Sequence, residues 1–396
     1  MGIKMIFERP ILQMLIQRLQ EPRQKMQILS GSRQVGKTTL SNQALKKITQ
    51  PYLQVIAESG FTTTWLDQHW AHARSLAKEN PEGAILVIDE IQKIDHWSER
   101  VKRLWDEDTI AGTPVKVVLL GSSSLLLHRG LSESMAGRYE LIHIPHWSFA
   151  ECRDAFGISL DEYLYFGGYP GALIYRDDED RFLAYMQDAI IEPIVARDIL
   201  SQCVVHKPAL LQQLFRLGCT YSGQILSYNK MLGQMHDAGN STTLAHYLTL
   251  LDQAGVLKGI DKFSNEKIRQ RQSSPKLQVY NTSLMTSVSR AGFVSTMENP
   301  EMKGRLVESA VGSSLLMDTK LEVFYWRENN REVDFVVRTK GKLVAIEVKS
   351  GMTVKTLPGL EAFHKSFSPH SALLVGANGI PLETFLTTPF SHFLSF

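Results

Sequence analysis

Cysteine is scarce in this chain: Cys152, Cys203 and Cys219 are the only three, and they share no metal-type or redox-type spacing. Their scarcity excludes a disulfide framework and points to a reducing, cytoplasmic setting. An excess of one charge is missing as well. Forty-three Lys and Arg face 41 Asp and Glu, a formal net charge of +2, so no global field draws nucleic acid or a membrane surface. No apolar run approaches the ~20 residues that a membrane helix needs, and the expectation is no membrane partner. The amphipathic start MGIKMIFERPILQMLIQRLQ is too charged for a signal peptide. Internal repeats and low-complexity tracts are not evident either. What is abundant is hydrophobic mass, 43% of 396 residues, enough for two to four domains with their own cores.

Residues 1–150 alternate helical patterns with the short β runs QKMQILS, YLQVIA, GAILVIDE and VKVVLLGS. Such alternation predicts an α/β fold, a parallel sheet with helices on both faces. Residues 151–204 turn helical and read as a lid, broken by FGGYPGA. Residues 205–285 hold three helical segments followed by the β pair VLKGIDKF and KLQVYN, which is the winged-helix order. Its third segment, TTLAHYLTLLDQAG, has no Lys or Arg; the basic residues lie in the candidate wing, KFSNEKIRQRQ. Weak phosphate contact follows, so docking to a protein partner and binding to DNA both stay open. Residues 286–300 read as a linker, and 301–396 as a smaller α/β unit.

The sharpest motif is GSRQVGKT, which fits G-x-x-x-x-G-K-[ST] between a strand and a helix. Gly31, Ser32, Arg33, Gln34, Val35, Gly36, Lys37, Thr38 and Thr39 are the candidate nucleotide-binding residues. Loop N–H groups and the helix N-terminus favour phosphate oxygens. Lys37 is expected at the β- and γ-phosphates of ATP, and Thr38 on Mg²⁺. GAILVIDE ends in two acids at the edge where open α/β sheets bind ligands. Asp89 would hold Mg²⁺, and Glu90 would act as base on the attacking water. The bland alternative is that Glu90 only caps the next helix. Ser122 is placed to sense the γ-phosphate or water, or else belongs to a serine-rich turn. Arg138 suits an arginine finger, a phosphate contact in cis, or a surface salt bridge.

The C-terminal stretch REVDFVVRTKGKLVAIEVKSG reads as a hairpin turning at Lys340-Gly341. Strict alternation puts Val333, Phe335 and Val337 on one face and pairs Asp334 with Glu347 and Glu332 with Lys349 on the other. Facing carboxylates repel by about 3 kcal/mol at an effective dielectric near 20. A divalent cation would turn that repulsion into chelation; a solvated face with Lys349 neutralising Glu332 is the alternative.

The pieces GSRQVGKTTL, VIDEIQKI, LLGSSS, AGRYE, GGYPGA, ARDIL, GRLVESAVGSSL, EVDF and AIEVKSG run in order along nearly the whole chain. In that order they resemble bacterial and archaeal AAA-type ATPases whose C-terminal half is a domain of unknown function. The resemblance implies a P-loop core, a helical middle, a winged-helix-like segment and a nuclease-like tail. YLQVIAESG lacks the short acidic run usual after the second strand, and Asn281 stands where an acid is commoner. The tail's order of helix, strand, hairpin, helix and strand is similar to that of PD-(D/E)XK nucleases. That similarity implies Glu308, Asp334 and Glu347 as metal ligands and Lys349 as the catalytic lysine. The expected function is Mg²⁺-dependent ATP hydrolysis controlling a tail that engages DNA or RNA. The alternative is a nucleotide-switched interaction protein with a dead nuclease fold. A homo-oligomer is expected if Arg138 works in trans.

Overall fold

The computed structural model describes residues 7–121, 135–202, 205–236, 239–264, 273–351 and 356–394. Ser122 and Cys203 lie outside them, as does 265–272, most of the basic segment expected as a wing. The chain divides into two compact units, 1–145 and 146–396.

In the first unit the apolar runs become strands of one parallel sheet. They are β1 (Met26–Ser30), β2 (Tyr52–Ile56), β3 (Ala84–Asp89), β4 (Val115–Gly121) and β5 (Tyr139–His143), in the order β2-β3-β4-β1-β5. Every residue of β1 and β3 is buried, as expected for central strands covered on both faces. Helices α3 (Thr63–Glu79) and α4 (Trp97–Ala111) pack one face through Trp70, Val101 and Leu104. Helices α1 (Ile11–Gln20) and α2 (Lys37–Leu45) pack the other through Leu12, Leu15 and Leu40. Because all five strands run the same way, their C-terminal ends share one edge. Ser30 and Asp89 finish their strands there, which sets the phosphate loop beside the acids.

In the second unit the helices Phe149–Phe156 and Leu160–Phe166 each open on a capping box, Ser148 with Glu151 and Ser159 with Glu162. Gly167 then takes a left-handed turn at φ +64°, and a Cβ there would lie 1.9 Å from Asn281 Oδ1. That oxygen accepts from Gly168 N at 3.2 Å, Ser283 N at 3.2 Å and Ser283 Oγ at 2.8 Å. The FGGYPGA turn is thus a docking point for Asn281. An amide oxygen suffices where the resembling family more often has an acid, since all three partners are donors.

Helices Pro208–Thr220, Tyr228–Leu232 and Ser241–Gln253 precede the antiparallel pair β6 (Leu257–Ile260) and β7 (Lys276–Val279). Residues 286–300, expected as a linker, contain most of the helices Ser283–Ser289 and Phe293–Glu298. Helix Pro300–Met317 lies against β7. A Cβ on Gly312 would come within 2.2 Å of Gln278 Oε1, and Gln278 Nε2 donates to Ser309 O at 2.9 Å.

Strands β8 (Glu322–Glu328), β9 (Arg331–Thr339), β10 (Lys342–Lys349) and β11 (Ser371–Gly376) form a sheet ordered β11-β10-β9-β8. The hairpin turns at Lys340 and Gly341, both at positive φ (48° and 77°), and Val344 and Ile346 face Val337 and Phe335 as expected. Two features depart from strict alternation. The ladder between β9 and β10 ends at Phe335–Ile346, and beyond it Val348 N donates to the Asp334 carboxylate at 2.8 Å. On the other side the β8–β9 register slips between Phe324 and Trp326, which face Val336 and Val333. This irregularity puts Val333 in one hydrophobic cluster with Val336 and Ala345, contrary to the expected split of odd and even positions. A bulge adds a residue to one strand and re-aims its neighbours, here at Asp334 and Phe335.

Candidate functional site

The phosphate loop leaves β1 at Ser30 and enters α2 at Lys37. Gln34 and Gly36 hold φ at +60° and +93°, the left-handed turns that let the loop curl. The Lys37 ammonium donates to Gly31 O at 2.9 Å and Ser32 O at 2.7 Å, inside the curl. Arg9, buried, donates to Val35 O at 3.0 Å and to Pro145 O at 3.1 Å, bracing the loop from the chain's start. Sequence reasoning passed over Arg9, whose only signal is an arginine next to Pro10 before an amphipathic helix.

Thr38 Oγ1 donates to Asp89 Oδ2 at 2.6 Å. A hydroxyl and a carboxylate meeting at the mouth of the loop form the oxygen pair that a hard divalent cation takes. The other Asp89 oxygen accepts from Glu90 N at 2.8 Å. Glu90 sits at φ +53° and ψ +34°, uncommon for a residue with a side chain, and makes no side-chain cap bond to the 3₁₀ turn Ile91–Lys93. The helix-capping alternative is therefore not what this carboxylate does. Gln92 Nε2 donates to Glu90 Oε2 at 2.6 Å, a positioning contact not singled out from the sequence.

Arg138 falls elsewhere. Its carbonyl accepts from Met26 N at 2.9 Å, so it stands at the start of β1, roughly 13 Å of strand from Ser30. Its guanidinium makes a bidentate pair with Asp106 of α4, at 2.7 and 3.0 Å. The expected phosphate contact in cis is thereby corrected: Arg138 sits at the opposite end of the strands from its own loop. Asp106 satisfies its fork as the salt bridge foreseen among the alternatives.

A second constellation lies within the 146–396 unit. Glu308, Asp334, Glu347 and Lys349, drawn from one helix and two strands, do come together, with Glu332 alongside. Among Glu308, Glu332 and Asp334 lies the ammonium of Lys276, the first residue of β7. It is fully buried and lies 2.6 Å from Glu308 Oε1, 3.5 Å from Asp334 Oδ1 and 3.6 Å from Glu332 Oε1. It also donates to Asp334 O at 3.1 Å and lies 4.9 Å from the centre of the Phe335 ring. Burial alone would lower its pKa, but Glu308, Asp334 and Glu332 together hold it above the ordinary lysine value. Lys349 Nζ pairs with Glu347 Oε1 at 2.7 Å. Burial, with help from the Asp334 charge, pushes Glu347 up to about 7. Among the described residues no group of three or more His, Cys, Asp or Glu stands ready to hold a metal ion. Sequence reasoning missed Lys276, which is one lysine in a short β run with nothing local to mark it.

Comparison with known proteins agrees with this geometry in the first unit. Residues 23–153 match the family model described as "AAA domain", while 158–294 and 303–387 match two domains of unknown function. A protein of Mycobacterium tuberculosis described as uncharacterized is 28% identical over 333 residues, covering 82% of this chain and 70% of its own. Another so described, from Methanocaldococcus jannaschii, is 23% identical over 280 residues, 65% of this chain and 59% of its own. Among solved structures the Walker-type ATPase of Pyrococcus abyssi superposes with a TM-score of 0.52 at 14% identity. It covers 72% of this chain and 96% of that one, a likeness of fold. The first unit has the P-loop NTPase fold, and most of it is similar to an AAA domain. Among the described residues no helix is long and apolar enough to cross a membrane.

Proposed function

We propose that the chain binds and hydrolyses ATP with Mg²⁺. The observation that carries this reading is the 2.6 Å contact between Thr38 and Asp89 at the mouth of the loop that encloses the Lys37 ammonium. The donor set fits the ligands: N–H groups and an ammonium for phosphate, a hydroxyl and a carboxylate for the metal. Gly31 to Thr39 would hold the nucleotide, with Lys37 turning from backbone carbonyls to phosphate oxygens. Thr38 and Asp89 would hold Mg²⁺, which when bound neutralises phosphate charge. Glu90, fixed by its strained backbone and by Gln92, would orient and deprotonate the attacking water. Binding of a fluorescent ATP analogue and phosphate release, measured on the parent and on Glu90→Gln, test the reading. Tight binding with turnover lost supports it; equal turnover removes Glu90 as base.

In this reading nucleotide state controls the 146–396 unit, which engages nucleic acid or a protein partner. The element order at 205–285 supports a winged-helix-like module, and the order at 301–396 a nuclease-like one. The buried Lys276 favours recognition over cutting, because its ammonium already occupies the carboxylates of Glu308 and Asp334 that a metal would need. Nicking of DNA or RNA with Mg²⁺ or Mn²⁺ that Asp334→Ala and Lys349→Ala abolish would overturn that preference.

A further inference from the structure

The carboxylates Glu308, Glu332 and Asp334 surround a cation, and the cation is covalently part of the chain; Glu347 and Lys349 pair beside them. Four carboxylates face two ammoniums, Lys276 and Lys349. Lys349 stands 39% exposed beside Glu347, whereas the Lys276 side chain is wholly buried. Its nearest carboxylate oxygens come from two separate elements, the helix Pro300–Met317 and the strand β9. Convergence of hard oxygen donors from separate elements is how divalent cations are held.

A second observation comes from the neighbouring Glu347. Glu347 is 9% exposed, and its Oε2 is buried without a hydrogen-bond partner, although Oε1 is taken by Lys349. A buried carboxylate oxygen with no donor carries a desolvation cost that a cation beside it would offset. Lys276 does not reach it: its contacts are with Glu308, Glu332 and Asp334.

We propose that Lys276 is a built-in substitute for a metal, filling a divalent-cation site made by Glu308, Glu332 and Asp334, with Glu347 beside it. Removing its ammonium opens that site to Mn²⁺ or Mg²⁺. The lysine arrives on β7, from the segment before the sheet, so the seating of β7 and the filling of the site are one event. This inference is independent of the nucleotide reading and survives its failure.

The test uses the full chain carrying Asp89→Asn, without nucleotide, so that the carboxylate at the phosphate loop contributes no metal binding. Bound Mn²⁺ is counted by electron paramagnetic resonance. The parent is expected to bind none at this cluster. Lys276→Ala is expected to bind one per chain, with affinity raised roughly a hundredfold or more, within the range that ligand charge and rigidity span in oxygen-ligand sites. Adding Asp334→Asn to that variant should abolish it. Melting temperature is the second readout: Mn²⁺ should raise it for Lys276→Ala and leave the parent unchanged. Should Lys276→Ala not fold alone, refolding that requires Mn²⁺ supports the proposal, and failure to refold with Mn²⁺ overturns it. A folded Lys276→Ala that binds no Mn²⁺, or a parent that binds it equally well, also overturns it.

Discussion

Among the described residues two lysines are buried among oxygen atoms, and the oxygens differ in charge. Lys37, 7% exposed, leans on the carbonyls of Gly31 and Ser32, while Lys276, wholly buried, touches the carboxylates of Glu308, Asp334 and Glu332. Carbonyls are neutral dipoles, and a phosphate can displace them at small cost. Carboxylates carry full charge, so their attraction for a buried ammonium is stronger than that of a dipole. On the proposed reading a phosphate displaces the carbonyl contacts of Lys37, while the carboxylates hold Lys276 in place. Burial of a lysine does not itself mark a binding site; the charge on its partners decides.

The comparison can be broken at either end. The largest effects belong to the phosphate loop. Lys37→Ala should abolish ATP binding in a fluorescence titration, and Glu90→Gln should keep binding while single-turnover hydrolysis falls roughly 10²–10⁴-fold, the usual share of a general base. If Lys37→Ala keeps full affinity, the contrast between the two lysines fails.

Next comes Lys276. Its removal leaves buried carboxylates uncompensated, a change that costs about 3–5 kcal/mol in buried pairs. Urea unfolding of Lys276→Ala without metal should show a loss of that order, and Lys276→Ala/Glu308→Gln should recover part of it. A loss under about 0.5 kcal/mol, typical of ordinary surface changes, would mean that the cluster does not need its lysine.

A smaller effect is expected from pH. Glu347 is pushed up to about 7 from a usual 4.5 by burial and by Asp334, with Lys349 and Lys276 pulling the other way. A raised carboxyl favours the folded state when protonated. Its contribution is complete below the unfolded value of 4.5 and fades as pH rises through about 7. Thermal unfolding from pH 4.5 to 8 should show the parent losing up to roughly 3 kcal/mol relative to Glu347→Gln. Parallel curves would place Glu347 in solvent.

Arg138 sharpens the contrast from the least sensitive side. Its pair with Asp106 is about one-third exposed on both partners, so Arg138→Ala should cost about 0–1 kcal/mol. ATP affinity of the isolated chain should not change. Turnover that falls while affinity holds, and only at concentrations where chains associate, would assign Arg138 a role in trans.

Much of the first unit is legible locally because its signals are contiguous. GSRQVGKT and VIDE each carry their chemistry within eight residues, and a parallel sheet brings them to one edge whatever the helices look like. Arg138 misled as a cis contact because the sequence does not say at which end of a strand a residue in a turn will sit. In the second unit the hairpin register followed from period-two alternation as far as Phe335–Ile346. It failed at the next residue, where a bulge depends on how β8 packs.

The sequence by itself determined the phosphate loop, the paired acids at the end of β3 and the hairpin acids of the tail, whereas Glu308 came only from the resemblance to a nuclease family. The first three are short-range patterns whose physics needs only neighbours along the chain. Only the tertiary structure decided what those carboxylates face. Lys276 lies 58 residues before Asp334, and nothing local tells a lysine bound for water from one destined for a buried cluster. That choice is made when β7 docks on the helix Pro300–Met317 and the sheet, where burial makes an unpaired charge costly and a neighbouring opposite charge necessary.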